Sequence, residues 1–170
     1  MNFLELAKKR YSCRSFSDKE VEKEKLDAIL EAGQIAPTGK NAQPWKAWVF
    51  TGSALEKFQA VSKLAYKTPI AILVGSNPEE AYVRPYDNAN FSDVDASIVV
   101  THMMLEVEEK ELATVWVGHF DSKAIQEEYP ETSKYHLIAI LPIGYASETA
   151  EPSPRHFETK ALEDLYDFKR

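Results

Sequence analysis

The sequence predicts an α+β protein in which helices flank a central sheet. Charged segments with apolar residues at three- and four-residue intervals, the spacing typical of amphipathic helices, occur along the chain. Between them lie short continuous apolar runs such as residues 69–75 (Pro-Ile-Ala-Ile-Leu-Val-Gly), which are typical of strands covered on both faces. Helices and strands follow one another in mixed order, and this order favours helices packed on one sheet.

Five elements are expected in the first half of the chain. Apolar residues at helical spacing predict the first two helices, and the second must end by Pro37 because the residue before a proline avoids helical geometry. Ser53 and Glu56 have the spacing of a capping box, which predicts the start of a third helix. The expected order is a helix from Phe3 into Lys8-Lys9-Arg10, a charged helix through Leu26 to Leu30, a strand over 46–51, a helix through Leu55 to Val61 and a strand over 69–75.

The second half begins with a loop rich in tyrosine and asparagine, residues 77–91. A broad apolar face predicts that the longest helix follows, over residues 93–110. From about residue 146 the chain turns polar and proline-bearing, and this tail is expected to pack on a partner subunit. The remaining expected elements are a buried strand over 114–118, a short helix over 121–129 that ends at Pro130, a strand over 136–141 and a helix-like piece over 160–168.

Composition limits the kind of protein that this is. The chain has 170 residues and suits one domain, 1–170. Its 20 basic and 27 acidic residues give a net charge of −7, which argues against a nucleic-acid binder. A single cysteine, Cys13, excludes an internal disulfide and fits a reducing cytoplasm. No apolar stretch approaches the roughly 18 residues of a membrane-spanning helix, and the start of the chain does not resemble a signal peptide.

Arg10, Ser12 and Arg14 are the first candidates for a binding site. The three lie at alternate positions just after the first predicted helix. In an extended backbone alternate residues point to one face, so all three side chains would converge on one anion. Arginine forks match phosphate oxygens, and each charge-assisted hydrogen bond contributes roughly 1.5–3 kcal/mol. The alternative is a solvated basic patch, since cations also suit the C-terminus of a helix.

A polar loop forms the second candidate, residues 36–45 (Ala-Pro-Thr-Gly-Lys-Asn-Ala-Gln-Pro-Trp). Its amide and hydroxyl groups offer both donors and acceptors, which suit the edge of a flat heterocycle. Gly39 is expected to allow a backbone conformation closed to other residues. The alternative is an ordinary polar turn. A phosphate anchor followed by such a loop suggests a nucleotide-like cofactor.

Two further candidates carry less weight when taken alone. Val117-Gly118-His119 ends the strand expected over 114–118, and ligands of open sheets prefer strand ends. The alternative there is a simple passage into a helix capped by Asp121. Arg155 is a single cation in the tail. The four histidines are widely spaced without carboxylates at metal-ligand intervals, so no metal site is expected, and neither a GxSxG nor a GxGxxG motif is present.

Together these pieces resemble the nitroreductase family, FMN-dependent NAD(P)H oxidoreductases that work as intertwined homodimers. The resemblance extends from Arg10 to about Arg155 and depends on the order and spacing of the motifs. It implies a nitroreductase-like fold with a mixed, mostly antiparallel central sheet. The motifs are Arg-Tyr-Ser-Cys-Arg-Ser-Phe at 10–16, the polar loop at 36–45, Asp95-Ala96-Ser97-Ile98, Ala113-Thr114-Val115-Trp116-Val117-Gly118 and Leu141-Pro142-Ile143-Gly144-Tyr145.

The family pattern implies a role for each candidate residue. No catalytic side chain is implied, because the flavin carries the hydride and the protein positions it. Tyr82, Arg84 and Tyr86 lie where substrate-covering elements vary within the family, and they are candidates for shaping acceptor access. The implied FMN-binding residues are Arg10, Tyr11, Ser12 and Arg14 at the phosphate and ribityl chain, Arg155 closing the phosphate site from the tail, Pro37, Thr38, Gly39 and Asn41 reaching the flavin held mainly by the other subunit, and Val117, Gly118 and His119 beside the reactive ring edge.

The activity implied by the resemblance is a ping-pong reaction on a small-molecule acceptor. NAD(P)H reduces the flavin and leaves, and a nitroaromatic, quinone or similar electrophile then takes the same space. Alternatives on the same scaffold are enoate or azo reduction, reductive dehalogenation and flavin breakdown. Alternatives of another class are an FMN-binding or storage protein without turnover and a structural dimer with a decayed pocket.

Overall fold

The structure is a computed structural model that describes residues 2–169, and its centre is a four-stranded antiparallel sheet. The strand order is β1-β2-β4-β3, so β2 and β4 are the inner strands. β2 is buried along its whole length, as its continuous apolar run predicts. Among the described residues the one parallel pairing is an isolated bridge between Ser12 and Thr114, so the expected mostly antiparallel α+β fold is confirmed. The strands are β1 (Trp45–Thr51), β2 (Ile70–Ser76), β3 (Ala113–Thr114) and β4 (His136–Gly144).

Within residues 2–169 there are five α-helices; the first packs on the fourth, the other four lie on the two sides of the sheet, and each face of the sheet has its own apolar core. On one face Ile29 and Met103 pack against side chains of the inner strands, including Ile72. On the other face Phe58 and Ile125 form a second core with the alternate residues of the same strands. The helices are α1 (Phe3–Lys9), α2 (Lys23–Gln34), α3 (Gly52–Ser62), α4 (Ser92–Glu109) and α5 (Ser122–Glu128).

α4 is the longest helix at 18 residues, close to the expected bounds. Its inner face is fully buried and includes Val99 and Met103. A Cβ on Gly33 of α2 would lie 2.3 Å from the Met103 Cε, so the methionine side chain would have to move. Its outer face is also partly apolar, and Val94 on that face is 49% exposed. Within residues 2–169 no helix has the length and apolar content needed to cross a membrane.

The prediction of a strand over 114–118 is wrong in the length of the strand. Only Ala113 and Thr114 form β3, and pairing with β4 resumes at an isolated bridge between Val117 and Ile140. In the register set by these pairs Val115 lies opposite Pro142. Proline has no N–H to donate to the ladder, so the pairing is interrupted at this point.

Two helix predictions also need correction. α3 begins at Gly52, so Ser53 lies inside its first turn, and no side-chain hydrogen bond caps this helix. The helix-like piece expected over 160–168 contains only a short 3-10 helix, Leu162–Asp164. Isolated short helices are marginal without packing, and Leu165 and Phe168 remain exposed in this part of the chain.

Candidate functional site

Residues 11–17 form an extended segment between β3 and the start of the tail. The Cys13 N–H donates to the Thr114 carbonyl oxygen (3.0 Å), and the Ser17 N–H donates to the Tyr145 carbonyl oxygen (2.9 Å). The Cys13 side chain points inward and is 1% exposed. Its neighbours Ser12 and Arg14 therefore lie on the opposite face, which is the alternation that an extended backbone produces.

A cleft of about 330 Å³ lies on that outer face. Arg10 follows the last residue of α1, while Arg155 belongs to a short 3-10 helix in the tail, Pro154–Phe157. The structure thus brings the segment that follows α1 and the 153–156 part of the tail to one place. We call this site the arginine cleft, and its lining residues are Arg10, Ser12, Arg14, Ser153, Arg155 and His156.

The arginine cleft is strongly electropositive. None of its lining residues is acidic, and within residues 2–169 none of the three arginines forms an ion pair. The Arg14 guanidinium donates to the Ser12 carbonyl oxygen (3.1 Å). A second hollow shares Ser12, Arg14 and Ser153 with the cleft and also contains Glu151. Three like charges without protein counter-ions repel one another, so the cleft is suited to an anion that offers several oxygens.

His156 of the tail contacts α1 and the segment that follows it, and these contacts join the two sides of the cleft. The Nε2 atom of His156 lies 3.2 Å from the Lys8 carbonyl oxygen, and its ring meets the Tyr11 ring edge-on at 6.4 Å. Burial is the main reason that the pKa of Tyr11 is raised to about 12, so its phenol stays neutral. Tyr11 is absent from the lining of the cleft and contacts a lining residue instead. Sequence reasoning missed Ser153 and His156, and their proximity to Arg155 was the available signal.

Residues 37–43, which we call the amide loop, have an unusual backbone. Lys40, Asn41 and Gln43 have φ angles of +52°, +55° and +49°, a region that non-glycine residues rarely adopt. The expectation for Gly39 is wrong, because its φ is not positive. Glycine is required at this position for space, since a Cβ there would lie 2.9 Å from the Cβ of Tyr82.

Asp95 of α4 contacts the amide loop directly. Its Oδ1 atom accepts a hydrogen bond from the Gly39 N–H at 2.9 Å, and the residue is only 2% exposed. Within the loop the Gln43 N–H donates to the Thr38 Oγ1 (3.0 Å). The sequence pattern assigned Asp95 to the start of the long helix and gave no signal for this long-range contact.

Val117, Gly118 and His119 follow β3, at the point where the chain stops pairing with β4 and turns toward α5. The Val117 and Ile140 backbones exchange two hydrogen bonds of 3.0 Å, and the Val117 side chain is buried. Gly118 and His119 are exposed, and the nearest atom to a Cβ on Gly118 would be the Trp116 Nε1 at 3.9 Å. This backbone is therefore open to close approach by a ligand. Neither this segment nor the amide loop lines the arginine cleft. The structure therefore brings the predicted arginines and Ser12 together, but it does not bring the amide loop or residues 117–119 into the same cleft.

Comparison with known proteins places this arrangement in one family. The model of the nitroreductase family matches residues 7–69 and 61–145. A nitroreductase family protein from Clostridium difficile 630 is 41% identical over 100% of this chain and 99% of its own, with a TM-score of 0.89. An FMN-dependent nitroreductase from Clostridium difficile R20291 is 28% identical over 99% of both chains, with a TM-score of 0.78. An iodotyrosine deiodinase from Thermotoga neapolitana is 27% identical over 89% of this chain and 92% of its own.

The family match covers most of the chain and includes Arg10, Ser12, Arg14, the amide loop and the Val117–His119 segment. Arg155 and the other tail residues of the cleft lie beyond the matched residues. The chain belongs to the nitroreductase family and is a flavin oxidoreductase of that family.

Proposed function

We propose that this protein binds FMN with its phosphate in the arginine cleft and transfers hydride from NAD(P)H to small electrophilic acceptors. The observation that carries the proposal is the convergence of Arg10, Arg14 and Arg155, without protein counter-ions among the described residues, on one cleft. Guanidinium groups bind phosphate oxygens in bidentate geometry, and hydroxyls such as that of Ser12 add further donors. The name of the FMN-dependent relative supports the same cofactor.

The residues of the chain would position the cofactor and leave the redox chemistry to it. When bound, FMN supplies the hydride chemistry, accepting from NAD(P)H and delivering to the acceptor in a ping-pong sequence. The arginines would hold its phosphate, and the exposed Gly118 backbone would allow its ring system to come close. The donors and acceptors of Thr38 and Asn41 would contact the ring from the amide loop. The proposal includes a cytoplasmic location, which the single buried thiol of Cys13 supports.

We further propose that two copies of the chain form the complete site, with residues 1–170 folding as one domain whose tail packs on the partner. The outer face of α4 supports this arrangement. Val94, Ser97, Ile98, Thr101 and His102 line a shallow hollow of about 470 Å³ together with Asp93. Helices that are apolar on more than one side are usually buried on each of those sides. The exposed Phe157, Leu162 and Phe168 offer further apolar surface in the tail.

Val94→Lys is expected to weaken the dimer at least about tenfold, because an unpaired ammonium group would be desolvated in the interface. Val94 is half-exposed, so the fold of one protomer tolerates the lysine. Sedimentation velocity over a range of concentrations measures the change. Ser122→Lys adds the same charge to an exposed position on α5 and serves as the control. Equal sedimentation of the Val94→Lys variant and the parent dimer, or a monomeric parent, would contradict this assignment.

The first test of the proposed function is an absorption spectrum of the purified protein before and after anaerobic addition of NADH or NADPH. Flavin bands that bleach with the reductant and return with a nitroaromatic or quinone are expected. An iodinated phenol belongs in the same screen, because of the deiodinase relative. Flavin bands that neither nucleotide bleaches would favour the storage alternative, and failure to bind added FMN would overturn the proposal.

A further inference from the structure

We propose that Asp95 is a positioning residue that holds the amide loop in its binding conformation. Its carboxylate would fix Gly39 from the first turn of α4, and so place Thr38 and Asn41. The role of the loop toward FMN rests on the proposed function, but the contact itself belongs to the fold and can be tested without cofactor.

The burial and bonding of Asp95 point to this role. The residue is 2% exposed, and its Oδ1 atom accepts from the Gly39 N–H at 2.9 Å. Its buried Oδ2 atom has no hydrogen-bond partner within residues 2–169. Burying a carboxylate is unfavourable unless it is hydrogen-bonded, and an aspartate needed only to begin a helix does not require burial. The hydrogen bond to the Gly39 N–H offsets part of the unfavourable free energy of burying the Asp95 carboxylate.

The amide loop needs support from outside because its own backbone is strained. Lys40, Asn41 and Gln43 have left-handed φ angles, each of which is unfavourable for a residue with a side chain. Tyr82 also contacts the loop, since its Cβ lies against Gly39 and its ring is 4.9 Å from the Lys40 Nζ. The hydrogen bond to Asp95 adds a directional constraint that this packing does not supply.

Asp93 provides a matched comparison within the same helical turn. Asp93 is exposed, and its Oδ1 atom accepts from the Ser76 Oγ at 2.6 Å and the Ser92 Oγ at 3.2 Å. The same atom lies 3.3 Å from the His136 Nδ1, so the contacts of Asp93 are with the ends of β2 and β4 and not with the amide loop. Both aspartates carry negative charge in the first turn of α4, where the helix dipole favours it. A variant at Asp93 therefore removes the same charge without removing the contact to Gly39.

The test is amide hydrogen exchange at single-residue resolution on the protein free of FMN. Asp95→Leu keeps the side-chain size but lacks an acceptor, and we expect the Gly39 amide to exchange about tenfold faster or more. Asp95→Asn keeps a carbonyl acceptor at Oδ1 and should restore most of the protection. Asp93→Leu should leave Gly39 within about twofold of the parent. The buried amides of Leu73 and Val74 in β2 report any general loss of stability.

Unchanged exchange at Gly39 in Asp95→Leu would overturn the proposal. An equal acceleration at Gly39, Leu73 and Val74 would also overturn it, because it would assign Asp95 to overall stability. If Asp95→Leu does not fold, Asp95→Ser keeps a helix-start side chain that is too short to reach Gly39, and the same outcomes apply. FMN affinity is measured separately on the same variants. Local exchange that rises while the parent binds no FMN would sustain this proposal and reject the proposed function.

Discussion

Arg14→Ala is expected to raise the dissociation constant of FMN by roughly 10- to 150-fold, the loss of one charge-assisted hydrogen bond of about 1.5–3 kcal/mol. Arg14 is exposed and lines the arginine cleft, and its guanidinium donates a hydrogen bond to the Ser12 carbonyl oxygen. Removing it leaves two arginines to neutralise a phosphate that carries up to two charges. Titration of the flavin fluorescence against protein concentration measures the change.

Riboflavin and a second arginine provide the controls for this experiment. Riboflavin lacks the phosphate, so its weaker affinity should be the same in Arg14→Ala and the parent. Arg84 is paired with Asp87 in the 77–91 loop and does not line the cleft, so Arg84→Ala should leave FMN affinity unchanged. An equal loss for FMN and riboflavin in Arg14→Ala would show that the arginine acts on folding or on the ring system, and would contradict the phosphate assignment.

Phe58→Ala is expected to lower the free energy of unfolding by about 3–5 kcal/mol. Phe58 is completely buried in the core on the α3 and α5 face of the sheet. Its ring stacks on Phe50 with centroids 3.9 Å apart and contacts Tyr129 at 6.2 Å. Truncation loses the transfer free energy of the ring and leaves a cavity that the strands cannot close. Urea unfolding of the FMN-free protein at a fixed concentration measures the loss without linkage to the cofactor.

Phe3→Ala is the matched control for this substitution. Phe3 is 67% exposed in α1, so the same chemical change should alter the free energy of unfolding by less than about 0.5 kcal/mol. A loss below about 1 kcal/mol in Phe58→Ala would mean that the site repacks, and would contradict the rigid core assigned to this face.

Patterns local in the chain predicted most of the fold. The apolar run at 69–75 predicted β2, and the broad apolar face after residue 92 predicted α4. Both predictions succeeded because each element has buried residues along its whole length, and burial leaves a continuous pattern in the sequence. The alternation of Arg10, Ser12 and Arg14 gave the shared face of the arginine cleft. That inference needed only an extended backbone, which the pairing of Ser12 with Thr114 provides.

Features that depend on distant partners escaped prediction. β3 stops early because Pro142 of another strand lies opposite Val115. Asp95 has an ordinary helix-start position in the sequence, and only the folded chain brings its carboxylate to Gly39. The tail fails to form the expected helix because its apolar residues have no surface to pack on within the described chain.

The arginine cleft also bears on the order in which this protein matures. The chain emerges from the ribosome with its N-terminal end first, and domains fold as units during synthesis. The last strand of the sheet ends at Gly144, whereas the cleft is complete only when Arg155 and His156 have been made. The sheet can therefore assemble before the third arginine is available. We expect the sheet and its two apolar cores to assemble without help from an anion bound in the cleft, because the cleft gains its third arginine only after the last strand has been made.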